Sequence, residues 1–137
     1  MLPTNLVTNE VKNAAGTEVE FLRLSTLDRT VTFAQSGEVP NLPHRIKISH
    51  LETGEGSEMV RRSVTRVDKT ITGVSGKPRP ISFYQVAVIP VGDIANLTEA
   101  TNVAAELNSF CSTTGAATTV LFDGTGFGTA ALLNGSM

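Results

Sequence analysis

Tryptophan is absent from this sequence, tyrosine and cysteine occur once each, and histidine occurs twice. The lone Cys111 excludes an intrachain disulfide. That fits a reducing compartment or a scaffold needing no covalent staple, and a free cysteine is most often a small buried side chain. His44 and His50, if on one strand, stand about 20 Å apart at ~3.3 Å per residue, too far to share a metal ion. Cys111 falls in a different, helical stretch, so no zinc site and no cofactor are expected. No run of 18 apolar residues occurs, so neither a transmembrane helix nor a membrane partner is expected. The opening MLPTNLVTNE has neither the basic region nor the apolar run of a signal peptide. No Ser, Cys or Thr has a visible base and orienting group in register, so no enzyme is expected.

Positive charge is the most unevenly distributed property. Residues 81–137 contain no Lys or Arg and four acids, whereas residues 44–80 contain eight Lys/Arg and four acids. The net charge of the whole chain is −2. A basic middle third on a mildly acidic chain is either ordinary solvated surface or a face that meets an anionic partner.

Strand patterns dominate the first ninety residues. Leu2–Val11 and Thr17–Leu24 flank the turn signal KNAAG and predict an N-terminal hairpin. Arg29–Gln35 alternates through Val31 and Phe33. Pro43–Leu51 sets Ile46 and Ile48, with His44 and His50, against Arg45, Lys47 and Ser49. Glu58–Ile71 is a long basic strand whose alternation is imperfect: Val60, Arg62 and Val64 share one parity, Arg61, Ser63 and Thr65 the other, and Val67 falls with Arg61. That irregularity predicts a bulge or bend. The segment GVSGKPRP, residues Gly73, Val74, Ser75, Gly76, Lys77, Pro78, Arg79 and Pro80, predicts a loop. It is an ordinary hairpin connection or a segment able to take several conformations. Ile81–Val91 then predicts a long central strand, with Ser82, Tyr84, Val86 and Val88 on one face and Phe83, Gln85, Ala87 and Ile89 on the other.

Asn96–Cys111 predicts the one clear helix. Asn96 suits the N-cap, Glu99 a capping box, and Leu97, Ala100, Val103, Ala104, Leu107, Phe110 and Cys111 form one face. The Asn96-Leu97-Thr98 sequon is coincidental without a secretory signal. Ala116–Phe122 fits a short helix or strand. Gly124-Thr-Gly-Phe-Gly128 lacks the Lys-Ser/Thr ending of a phosphate loop and reads as flexible tail. The order predicts a single α+β domain with an antiparallel sheet. One amphipathic helix cannot cover strands this long, so a partner chain is expected to supply the missing cover.

The run FAQSGEVP–HRIKIS, the basic strand MVRRSVTR, the loop GVSGKPRP and the Tyr-bearing SFYQVAVIPV before a helix resemble the coat proteins of single-stranded RNA bacteriophages. The resemblance spans about Thr30–Phe110 and rests on element order and texture. It implies an N-terminal β-hairpin (1–26), a five-stranded antiparallel sheet (27–92) and a C-terminal helix or helices with a tail (93–137). It further implies an intertwined dimer with a continuous sheet, assembled into an icosahedral shell in the bacterial host cytoplasm. Residues Gly73–Pro80 would be the loop meeting other dimers. Genomic single-stranded RNA would lie on the inner sheet face at Arg45, Lys47, Ser49, Arg61, Ser63, Thr65, Tyr84 and Val86, with an RNA hairpin, bound as translational repressor, as a further candidate ligand. The chemistry suits that role: cations release phosphate counterions, hydroxyls bond phosphate or base edges, and an exposed tyrosine stacks bases. The alternative is a non-viral, dimeric, β-rich RNA-binding module that forms no shell.

Overall fold

The alternating segments between residues 5 and 89 form one antiparallel sheet whose strands follow chain order. In the computed structural model, which describes residues 2–114, 120–121 and 125–135, these strands are β1 (Asn5–Leu6), β2 (Phe21–Leu27), β3 (Thr30–Gln35), β4 (His44–Thr53), β5 (Val60–Thr72) and β6 (Pro78–Ile89). The chain divides into two compact units, Met1–Val11 with Glu18–Ile94, and Lys12–Thr17 with Ala95–Met137.

In the first unit the apolar side of β2–β4 carries the core. Phe21 and Phe33 are fully buried and Ile46 nearly so, closed over by Leu6 with Val11, Val19, Val31, Ile48 and Val67. Two polar groups seal the margin of this core. The His44 ring meets Phe21 edge-on at 4.9 Å and its Nδ1 donates to Gln35 Oε1 at 2.7 Å. The Arg23 guanidinium lies 5.5 Å from the Phe33 ring centre and donates to the Pro3 carbonyl at 2.6 Å. Leu6 of the N-terminal segment belongs to the same buried cluster as Ile46, so part of the cover expected from a partner chain comes from this chain itself. On the same side of β5–β6, Ile71, Ile81 and Phe83 are 39%, 46% and 43% exposed.

The irregularity expected in β5 lies elsewhere. Register runs unbroken from His44↔Lys69 to Thr53↔Val60 and from Arg61↔Ile89 to Thr72↔Pro78. The shift occurs in β2, between Arg23 and Ser25. Val67 shares Arg61's parity because that parity faces the core beside Ile46.

The expected loop at residues 73–80 is shorter than the sequence suggested. Its connection is closed by Gly73 N–H donating to Lys77 O at 2.8 Å, with Gly76 at φ 77° and Val74 fully exposed. Pro78, Arg79 and Pro80 belong to β6, opposite Thr72, Ile71 and Thr70. Antiparallel pairs alternate between bonded and non-bonded, so the Gly73–Lys77 bond makes Arg79 a bonded position and turns Pro78 and Pro80 outward. Proline, which has no N–H, is tolerated there because β6 is the sheet's edge. At the other end of β6, Gly92 lets the chain pass the β4–β5 turn. Its N–H donates to Met59 O at 3.0 Å, and a Cβ there would stand 2.1 Å from the Gly56 carbonyl oxygen.

In the second unit Asn13 Oδ1 accepts from the backbone of Ala15 and Thr17, both at 3.0 Å, which closes the expected KNAAG turn. Helix α1 spans Thr98–Cys111 and buries none of its residues. Leu97 takes the N-cap position, yet Asn96 Oδ1 accepts from Thr98 N at 3.0 Å, so the capping side chain is the expected one, one residue early. Glu99 accepts from Asn102 rather than reaching back. A two-residue pair, β7 (Thr113–Thr114) and β8 (Val120–Leu121), follows. Residues 115–119 and 122–124, where a short element and the first tail glycine were expected, lie outside the described residues.

The expected tail contains a second helix, α2 (Phe127–Asn134). Its glycines serve close packing. A Cβ at Gly126 would meet the Cys111 backbone at 2.6 Å, and one at Gly128 would meet the Phe110 ring at 2.6 Å. Thr129 Oγ1 also donates to the Cys111 carbonyl at 2.7 Å. No described helix is long and apolar enough to cross a membrane.

Candidate nucleic-acid interface

Residues directly opposite in a ladder share a face. The registers therefore fix which side chains meet on the side of the sheet away from Phe33 and Ile46. Three rows run across it from β3 to β6: Ala34, Arg45, Asp68 and Ser82; Thr32, Lys47, Arg66 and Tyr84; and Thr30, Ser49, Val64 and Val86. Leu51, Arg62 and Val88 continue it over β4–β6. A shallow depression at its middle is lined by Lys47, Ser49, Val64, Arg66 and Asp68.

Of the residues expected on this face, Arg45, Lys47, Ser49, Tyr84 and Val86 are there together. Arg61, Ser63 and Thr65 are not. They project to the opposite side, across from Glu52, His50 and Ile48. There Arg61 Nε donates to Glu52 Oε1 at 2.8 Å, with Arg29 bound to the same carboxylate at 3.2 Å. Ser63 Oγ lies 2.8 Å from His50 Nδ1. The residues missed are Arg62, Val64, Arg66 and Asp68, the alternate positions of the same strand. Hydropathy along β5 gave no clear signal for them, because valines fall on both parities; the pairing of Val67 with Ile46 is what turns them to this face.

The face is held by a small polar network. Arg66 Nε donates to both Asp68 carboxylate oxygens at 2.8 Å, Arg66 Nη2 donates to Ser82 Oγ at 3.2 Å, and the Ser82 hydroxyl donates to Asp68. The guanidinium carbon of Arg66 sits 5.9 Å from the Tyr84 ring centre, within cation–π range. Burial pushes the Asp68 carboxyl upward. The hydrogen bonds from Ser82 and Arg66, with the charges of Arg66 and Lys47, outweigh it and hold the group below the ordinary range. Arg45 is paired with Glu38 at 3.1 Å. Lys47 and Arg62 make no ion pair among the described residues. Tyr84 is 64% exposed. The surface thus offers cations, hydroxyls and one open aromatic ring, the groups that bind a flexible polyanion with planar bases. Among the described residues no cluster of His, Cys, Asp and Glu could hold a metal ion.

Beside this face runs the open side of β6. Alternation turns the N–H groups of Ser82, Tyr84, Val86 and Val88 outward, and no described strand lies beyond them.

No family model and no curated protein matches the chain. Solved structures do. Bacteriophage EMS014 coat protein is similar at TM-score 0.69 and 10% identity, covering 100% of this chain and 99% of that one. The virus-like particle of Beihai levi-like virus 32 is similar at TM-score 0.55 and 22% identity, over 67% of this chain and 75% of that one. The virus-like particle of bacteriophage AVE015 is similar at TM-score 0.52 and 10% identity, over 85% and 80%. At these identities the likeness is one of architecture, and it reaches end to end: the chain has the coat-protein fold, an antiparallel sheet followed by two C-terminal helices.

Proposed function

We propose that this chain is a structural capsid protein that dimerises through β6, assembles into an icosahedral virus shell, and packages single-stranded RNA on the polar face of its sheet. The observation that carries the reading is the unfinished state of β5–β6. Pro78 and Pro80 guard the start of this edge strand, but beyond them Ser82, Tyr84, Val86 and Val88 turn their N–H groups outward, and an apolar edge of that kind is a template for pairing with another chain. A second β6 related by a two-fold axis would extend the sheet without a break, since a two-fold interface needs only one self-complementary patch. It would bring with it cover for Ile71, Ile81 and Phe83. The helix α1, with Val103, Leu107 and Phe110 at 61%, 47% and 58% exposure, is the surface in search of such a partner. The coat-protein fold supports assembly beyond the dimer, and the turn at Gly73–Lys77 with Val74 at its tip is the segment suited to contacts between dimers.

The RNA role rests on Arg45, Lys47, Ser49, Arg62, Arg66 and Tyr84. Arg61, Ser63 and Thr65 have no part in it, because they face the other way. The site of action is the virion, with assembly in the host cytoplasm and an RNA hairpin as the candidate regulatory ligand.

Electron microscopy of the expressed protein tests the reading. Uniform hollow particles that protect RNA from nuclease are expected. Soluble dimers alone would favour the non-viral RNA-binding module, and dilute monomers indifferent to RNA would overturn both. The triple variant Tyr84→Ala, Arg45→Ala, Lys47→Ala is expected to keep the dimer and lose RNA. Lost stacking of about 1–3 kcal/mol weakens binding roughly 5- to 150-fold. Two fewer cations flatten the salt slope by about 1.4. Unchanged RNA binding in this variant would remove the face from the proposal.

A further inference from the structure

Asp68 is the one carboxylate that β3–β6 place on the polar face. On charge alone it is a fault there, since it repels phosphate and cancels part of the cationic field. Its geometry gives it a different use. Both carboxylate oxygens engage Arg66 Nε, and Ser82, opposite Asp68 on β6, ties the Nη2 end of the same guanidinium. An arginine side chain has several free torsions, and here two anchors restrain it with its carbon 5.9 Å from the centre of Tyr84. The cation thereby stands against the ring while the residue stays 64% exposed, which leaves ring surface for a base. Three of the five guanidinium N–H donors remain unused by these bonds, enough to hold one phosphate.

We infer that Asp68 is a positioning residue of the RNA face: acting through Arg66 and Ser82, it steadies Tyr84 for stacking on an unpaired base and gives up bare phosphate affinity in exchange. The inference rests on the RNA reading of this face. It makes Asp68 the residue that sets how far the surface prefers bases over backbone. A carboxylate that merely closed an ion pair for stability would leave that preference alone.

The test uses full-length protein, kept unassembled in dilute solution, and two 12-nucleotide probes of equal charge. One is oligoadenylate; the other is an abasic ribose-phosphate chain. Binding is followed by fluorescence anisotropy from 50 to 300 mM salt (probe length and salt range chosen as about one site's worth of strand and the range over which counterion release is read). Wild type is expected to prefer oligoadenylate by about tenfold or more. In Asp68→Asn the abasic chain is expected to bind about two- to fivefold tighter, with a salt slope steeper by up to ~0.7. The preference for oligoadenylate is expected to fall about fivefold as Arg66 leaves the ring, a loss within the worth of one stacked base. Ser82→Ala, a smaller deletion that keeps the test available should Asp68→Asn fold poorly, is expected to lower the preference without steepening the slope. Asp68→Glu is expected to recover part of it. An unchanged preference in both Asp68→Asn and Ser82→Ala, or equal loss of affinity for both probes, overturns this inference alone. A folded wild type that binds neither probe overturns the RNA reading and this inference with it.

Discussion

Phe83 gives the sharpest measure of the proposed dimer. It sits on β6 across from Val67, on the apolar side of the sheet, and is 43% exposed. A phenylalanine carries about 200 Å² of surface, so about 85 Å² remains bare; at ~25 cal/mol/Å² its cover is worth up to about 2 kcal/mol. A two-fold dimer makes the contact twice, so Phe83→Ala is expected to weaken association by up to about 4 kcal/mol, close to a thousandfold in Kd. Sedimentation equilibrium over a wide range of protein concentration reads the change directly. Leu27→Ala is the control. Leu27 is 72% exposed at the far side of the sheet, beside the β2–β3 turn, and its loss is expected to leave Kd where it was. A Phe83→Ala protein that associates like wild type, or a Leu27→Ala protein that dissociates equally, would refute the placement of the interface at β6.

Stability is expected to fall as the solution is acidified past neutrality, through His44. Burial pushes its imidazole below the ordinary value of 6.5, the charge of Lys69 acts the same way, and Glu38 opposes them. The unfolded chain therefore binds a proton that the folded one refuses, so this contribution is full above pH 6.5 and lost as pH drops toward the folded pKa. Thermal unfolding between about pH 5 and 8, above the range in which Glu38, Glu52 and Asp68 take up protons, is expected to show the slope in wild type and a flatter one in His44→Gln. Equal slopes would exclude His44 as the cause. For the RNA face, Arg62→Ala is expected to weaken binding and flatten the salt slope by about 0.7, whereas Arg61→Ala leaves both unchanged. The reverse result would show that nucleic acid meets the other side of the sheet.

Much of the architecture was written in local pattern. Strict alternation through Val31 and Phe33, and through Ile46 and Ile48, placed β3 and β4 and pointed to Phe33 and Ile46 of the buried core, with Val31 and Ile48 packed against it. The Asn96 side chain bonds the start of α1 as its position suggested. The errors arose where local preference met a demand from elsewhere. Pro78 and Pro80 read as loop because proline breaks a ladder. Their tolerance depends on β6 lying at an edge, which is a property of the whole sheet. Gly126 and Gly128 read as slack chain, yet they are small because Phe110 and Cys111 pass within contact of them. Only the three-dimensional path makes that visible.

The candidate site shows the same division more sharply. On β4 the two faces differ in kind, and Arg45, Lys47 and Ser49 could be assigned without the partner strand. On β5 they do not differ in kind: Val60, Val64 and Val67 are split between parities, as are Arg61, Arg62 and Arg66. A strand with apolar and basic residues on both sides has no face that hydropathy alone can name. The register with β4 decides it: Ile46 lies opposite Val67, and Lys47 then faces Arg66. Two cations placed directly across a ladder repel. The Asp68 carboxylate, two residues along β5 and bonded to Arg66, offsets that repulsion. Arg66 and the acid that binds it therefore reach this face together, when β5 settles its parity against the core.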